Sequence, residues 1–240
     1  MFNTNIPIYG ILIVLSLLIN IIIVLKTYNK KHYTTIEIIG ALTYENMGII
    51  LGAKLLTYLN NYSIHSEFNF YTTGLTSLGG VLGAILFLLL FAFQFKKDIK
   101  EIINTFMLPI PLMYSISKIG CFIAGCCHGV EYNGILHITY NYSKIAPNNT
   151  NLFPVQIIES IIFLIIFMYF YKKKINKSFS FKTLGYLTIA CSISKFLLDY
   201  LRYEHINKII TLNQIICLVF VIIGVIIIKG VKNGRKQRTN

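Results

Sequence analysis

Seven stretches of this sequence stay apolar over the length a helix needs to cross a bilayer, and this repetition limits the fold more than any other feature. A hydrocarbon core of about 30 Å takes roughly 20 residues of helix, and every backbone polar group within it must be satisfied inside the protein. The stretches are Pro7 to Leu25, Ile36 to Leu59, Tyr71 to Phe93, Ile102 to Cys126, Phe153 to Tyr171, Thr183 to Tyr203 and Thr211 to Ile228. The second carries Glu37, Glu45 and Lys54, and the fourth carries Pro109 and Pro111. With 55% hydrophobic residues, 13% charged residues and a mean hydropathy of +0.65, the chain is too apolar for a soluble domain. It reads as an all-α integral membrane protein of about seven transmembrane helices, a single membrane domain over residues 1–240 with a central lipid-accessible cavity. No positively charged segment precedes the first run, and Lys26, Lys30 and Lys31 follow it, which opposes a cleaved signal peptide. No internal repeat is evident.

A net charge of +13 could suggest nucleic acid, but the basic residues cluster between the apolar runs, as they do in inner membrane loops. The loops after runs one, three, five and seven hold 16 of the 22 Lys and Arg residues. The alternate loops hold only Lys144 and Lys208. The positive-inside rule therefore puts the N-terminus outside and the C-terminus in the cytoplasm, with residues 229–240 a basic cytoplasmic tail. Residues 128–152, rich in Asn, Tyr and Thr, become an extracytoplasmic loop with a candidate hairpin at Asn133-Gly134. No nucleic-acid partner is expected.

The remaining four cations, Lys54, Lys118, Lys195 and Arg202, lie within the apolar runs. A charge there costs about 2.5–3.5 kcal/mol or more unless it is paired, so function is the default reading. On this topology all four fall near the outer face. So do Gly79, Gly80, Gln156, Glu159, Asp199, Thr211 and Gln214. Lys195, Asp199 and Arg202 are spaced i, i+4, i+7 and share one helical face. They can form a structural triad, but the surplus positive charge favours an anionic ligand. Gln156 and Glu159, spaced i, i+3 after Pro154, form a second polar face that can equally serve helix–helix hydrogen bonding. The glycine-rich segment from Thr76 to Gly83 ordinarily means close helix packing.

The string from Ser117 to Gly129 holds Lys118, Gly120, Cys121, Gly125, Cys126, Cys127 and His128. Its glycines allow irregular backbone, tolerated at membrane depth where protein or a wet cavity satisfies it. The cysteines can be inert packing, zinc ligands or a nucleophile activated by Lys118. On a helix, adjacent Cys126 and Cys127 point apart, and this argues against zinc. Neither a metal nor a cofactor is expected, since no nucleotide loop or metalloprotease motif occurs. The five cysteines are odd in number and do not make a disulfide framework.

Taken together, these strings resemble the prolipoprotein diacylglyceryl transferase family, in order, from about Gly52 to Gln214. The family's Gly-Gly-x-x-Gly matches Gly79, Gly80 and Gly83, and its Gly-Arg-x-Gly-Asn-Phe is similar to Ser117 to Phe122. His-Pro-x-Gln-x-x-Glu resembles Phe153 to Glu159, Arg-Phe-x-x-Glu-x-x-Arg resembles Lys195 to Arg202, and a late Gln matches Gln214. The sequence departs from the pattern at Leu78, in place of a His, at Cys121, in place of Asn, and at Cys126, in place of Glu. Lysine replaces arginine at Lys54, Lys118 and Lys195, exchanging a planar fork for a point charge.

The resemblance implies a bacterial plasma (inner) membrane enzyme that transfers a diacylglyceryl group from phosphatidylglycerol to the cysteine thiol of a lipoprotein precursor signal peptide. For that chemistry Lys118, Lys195 and Arg202 are expected to hold the lipid phosphate, Asp199 to orient the two helical cations Lys195 and Arg202, and Gln156 with Glu159 to hydrogen-bond with headgroup or substrate. Lys54 widens the positive field, and Gly79, Gly80, Gly120, Cys121 and Gln214 complete the substrate-binding set. Candidates for the thiol's base are Glu159, a lysine of lowered pKa and His128. The competing reading is a phospholipid-binding membrane protein of the same fold that does not catalyse this reaction.

Overall fold

The computed structural model describes residues 8–30, 32–61, 74–177, 179–206 and 208–236. Eight α-helices lie among them: α1 (Ile8–Thr27), α2 (Thr35–Asn61), α3 (Ser77–Gln94), α4 (Ile99–Phe106), α5 (Ile110–Ala124), α6 (Val155–Ile175), α7 (Phe181–Asp199) and α8 (Leu212–Lys236). Among the described residues seven spans are long and apolar enough to cross a membrane, α4 and α5 together counting as one over Ile99–Ala124. The chain is thus an all-α, multi-pass membrane protein, as its apolar runs imply. Their surfaces fit lipid as solvent: Leu55, Ile165 and Ile226 are about 60% exposed. The start of the first run (Pro7), the start of the third (residues 71–73) and residues 237–240 of the basic tail lie outside the described residues.

The chain divides into two compact units, Ile21–Ile110 and a second made of Met1–Asn20 with Pro111–Asn240. In the first, α2 opens on a reciprocal cap, with Thr34 N donating to Glu37 Oε2 at 3.0 Å and Glu37 N to Thr34 Oγ1 at 3.3 Å. Helices α2 and α3 meet through glycines: a Cβ on Gly52 would collide with Gly79 O, and one on Gly83 with Gly48 O. Backbones approach this closely only where no side chain intervenes. Thr57 and Thr76 hydroxyls, 2.8 Å apart, and Tyr44, donating to Gln94 Oε1 at 2.7 Å, tie the two ends of that contact. Asp98 caps α4 by accepting from Lys100 N at 2.8 Å.

In the second unit, Ser115 Oγ donates to Ser160 O at 2.8 Å and joins α5 to α6. Helices α7 and α8 pack at Gly185 and Gly224, where a Cβ on either would sit 2.9 Å from the other's carbonyl oxygen. Ser180 and Thr183 form a reciprocal cap that starts α7. The loop over 128–152 carries two short antiparallel strands, β1 (Ile138–Thr139) and β2 (Asn151–Leu152). Asn133-Gly134 is not the hairpin turn: β1 and β2 pair across 140–150, and Glu131 bridges to Leu152. The loop also holds the chain beyond α7, through Val130 N to Leu201 O (3.1 Å) and Tyr203 N to His128 O (3.2 Å).

Two expected helices end early. The sixth apolar run stops being helical at Asp199, and Arg202 adopts extended backbone (φ −94°, ψ 145°) bridged to Gly129. The fourth run is interrupted at Met107 to Pro109, before Pro111 in the first turn of α5, as proline's missing N–H dictates.

Candidate active site

Glu159 lies on α6, one helical turn in from Pro154, and is fully buried. Three cations converge on it. Lys118 Nζ from α5 is 3.0 Å from Oε2, Lys195 Nζ from α7 is 3.1 Å from Oε1, and Arg202 Nη2 donates to both oxygens at 2.8 Å. Tyr114, one turn before Lys118, donates its hydroxyl to Glu159 Oε1 at 2.9 Å, and Lys118 Nζ lies 5.0 Å from its ring centre. Asp199 completes the group: Oδ1 lies 3.0 Å from Lys195 Nζ and 3.6 Å from Arg202 Nε, and Oδ2 accepts from Thr211 at 2.7 Å.

Lys118, Lys195, Asp199 and Arg202 are each at most 5% exposed, so these charges interact with little screening by water. Three cations against two carboxylates leave one positive charge over. Burial opposes the charge on Arg202, but Glu159 and Asp199 raise its pKa well above the ordinary guanidinium value. Arg202 Nε has no hydrogen-bond acceptor among the described residues, and neither has Gln156 Oε1 a donor. A surplus charge, a buried N–H without an acceptor and a buried carbonyl without a donor together suit a phosphate ester that carries hydroxyls.

Lys195 and Asp199 do share a face of α7. Arg202 reaches the same carboxylates from outside the helix, because its bridge to Gly129 turns the chain back. A Cβ on Gly129 would strike Phe153 O, so glycine is needed there. Gln156 is fully buried and donates to Cys126 O at 3.1 Å. Gln214 caps α8, its Oε1 accepting from Thr211 N (2.9 Å) and from His205 Nε2 (2.9 Å). It thereby holds Thr211 against Asp199. Gly120 packs on Tyr9 and Leu12 of α1, the nearest atom 3.2 Å from where its Cβ would be. Tyr140 donates to Phe122 O at 2.8 Å, and burial pushes its hydroxyl up to about 12, keeping it protonated.

Lys54, Gly79 and Gly80 belong to the other compact unit, where Gly79 serves the contact with Gly52. Gly80 has ordinary room beside Ile49. Among the candidate bases, Glu159 has both oxygens engaged by donors. His128 Nδ1 faces Gly129 O at 3.1 Å, the tautomer that leaves Nε2 as the basic nitrogen. Tyr114 and His205 escape sequence reasoning, and Thr211 is placed near the outer face by it without its partner Asp199. Of the first two, Tyr114 alone leaves a signal, its i, i+4 spacing to Lys118.

The chain matches the family described as prolipoprotein diacylglyceryl transferase over residues 1–229. It belongs to the prolipoprotein diacylglyceryl transferase family. Among relatives, phosphatidylglycerol–prolipoprotein diacylglyceryl transferase 2 of Clostridium perfringens is 26% identical over 247 residues, covering 98% of this chain and 95% of its own. The Clostridium tetani transferase is 26% identical over 248 residues, covering 99% and 97%. The Leptospira interrogans transferase is 30% identical over 143 residues, covering 58% and 44%. Within the diacylglyceryl transferase family pattern, the departures at Leu78, Cys121 and Cys126 fall on described residues. Leu78 lies in the first turn of α3, and the two cysteines flank the end of α5.

Proposed function

We propose that this protein is the enzyme its relatives are named for, transferring a diacylglyceryl group from phosphatidylglycerol to the cysteine thiol of a prolipoprotein. The observation that carries the reading is the convergence of Lys118, Lys195 and Arg202 on Glu159, with one positive charge unbalanced. In the reaction the thiol sulfur attacks the terminal glyceryl carbon of the diacylglycerol moiety, the carbon–oxygen bond breaks, and its electron pair leaves on glycerol phosphate. Negative charge grows on that oxygen. Cations already fixed in place stabilise it without reorganising at the moment of reaction.

Arg202 and Lys118 would hold the lipid phosphate. Lys195 and Asp199 would position them, and Gln156 would accept from a headgroup hydroxyl. Glu159, saturated by donors, is a positioning residue in this scheme and not the base. Gly120, Cys121 and Gln214 would shape the path of lipid and signal peptide beside these charges, while Gly79 keeps its packing role against Gly52 in the other unit. The enzyme works from the outer face of the bacterial plasma membrane, with its C-terminus in the cytoplasm.

The test is transfer of labelled diacylglycerol from phosphatidylglycerol to a lipobox peptide by the purified protein. Arg202→Ala abolishes transfer, while Lys100→Ala, in the first turn of α4 and in the other compact unit, leaves it intact. Equal loss in both, or loss in neither, removes the site assignment. Leu78, at the family's histidine position, favours a second reading, lipid binding without transfer. Under that reading wild-type protein binds the lipid and labels no peptide.

A further inference from the structure

Helix α5 ends at Ala124, and the chain then turns through Gly125 (φ +76°) and Cys127 (φ +53°). Cys126 and Cys127 are therefore not neighbours on a helix, and the argument that their side chains must diverge does not hold. The turn instead folds them back over the last turn of α5. The sulfurs of Cys121, Cys126 and Cys127 all lie within 4.8 Å of one another. A left-handed conformation at a residue with a side chain costs on the order of 1–3 kcal/mol, and the structure spends it where it brings the third sulfur in. Gln156 fastens the turn through Cys126 O. Gly125 is needed there, since a Cβ on it would meet Ser143 Oγ.

We propose that Cys121, Cys126 and Cys127 form a zinc site with its fourth position open to an external thiol. Zinc–sulfur bonds of about 2.3 Å in tetrahedral geometry put sulfurs about 3.8 Å apart, so the cluster needs at most about 1 Å of contraction per pair. Cys121 is buried and the other two are half-buried, which leaves one side of the cluster approachable. Three thiolates and a divalent ion carry one net negative charge. Lys118, one turn before Cys121, and Arg202 are both near enough to act electrostatically on Cys127. Three protein ligands with one open position is the arrangement zinc takes where it activates a bound group.

The use of this site rests on the transferase reading. The incoming prolipoprotein thiol would take the fourth position and release its proton to solvent. Its sulfur would then form the bond to the glyceryl carbon as the carbon–oxygen bond breaks, with the electron pair leaving on glycerol phosphate. A family member with Leu78 at the histidine position would thereby gain the means to deprotonate the thiol. Two of the three ligands, Cys121 and Cys126, stand at the family positions for Asn and Glu.

The full-length protein in detergent, stripped with chelator and given zinc or cobalt(II) alone, tests the site without reference to catalysis. The expected result is about one zinc per chain and a sulfur-to-cobalt charge-transfer band, both lost in Cys126→Ser and in Cys127→Ser and kept in Cys191→Ser. Adding a lipobox peptide shifts the cobalt spectrum, and its Cys→Ser version does not. Helical circular dichroism checks that the variants stay folded; if one does not, Cys121→Ala replaces it, with the same loss of metal expected. Uptake below about one tenth of an ion per chain, uptake unchanged in the variants, or no spectral shift with peptide overturns the inference. Lipid transfer by zinc-free protein at the full rate also overturns it while leaving the transferase reading standing. Metal and thiol binding without transfer supports the site and counts against that reading instead.

Discussion

Glu159 is the residue on which the site depends. Removing one partner from a buried ionic group leaves uncompensated charge and costs about 3–5 kcal/mol, more than the intact group contributes to stability. Glu159→Gln leaves Lys118, Lys195 and Arg202 with Asp199 alone. Unfolding in mild detergent should show a loss of about that size, and a change below about 1 kcal/mol would mean that the carboxylate does not hold the cations together. The sequence marks these residues as costly to bury and pairs Lys195, Asp199 and Arg202, but it does not join Lys118 or Glu159 to them. Glu159 is 41 residues from Lys118 and 43 from Arg202 in the chain, so only packing reveals the hub. Tyr114 leaves only its i, i+4 spacing to Lys118, and the convergence of the three cysteines is hidden because the chain turns after Ala124 where the apolar run reads as helix.

At the scale of elements, the apolar runs were readable because a membrane demands length and continuity, and seven spans answer the seven runs. Helix ends were not readable. Lys195, Asp199 and Arg202 fit a helical spacing, yet the chain leaves the helix at Asp199 because the loop offers Gly129 and Val130 as backbone partners. The glycines of α3 separate by packing. A Cβ on Gly83 would meet Gly48 O, whereas one on Gly80 would lie 3.5 Å from Ile49, an ordinary contact. Gly83→Ala should therefore destabilise the α2–α3 contact by about 1–3 kcal/mol in thermal unfolding, and Gly80→Ala by much less. Equal effects would contradict the geometry of that contact.

For the whole molecule, 16 of its 22 Lys and Arg residues cluster between alternate apolar runs, and the direction across the membrane proposed above rests on that bias. A reporter fused after Asn240 should be active only in its cytoplasmic form, and an extracytoplasmic signal would reverse the depth of every site residue. Given that direction, the account requires a buried group of one net positive charge to select an acidic phospholipid. The most direct measurement is photo-crosslinking in vesicles with phosphatidylglycerol and phosphatidylcholine probes that differ only in the headgroup. The account predicts that phosphatidylglycerol labels peptides containing Lys118, Glu159 and Arg202 in preference to phosphatidylcholine, and that Lys118→Met with Arg202→Gln removes the preference. Equal labelling by the two lipids, or a preference that survives both substitutions, would contradict it.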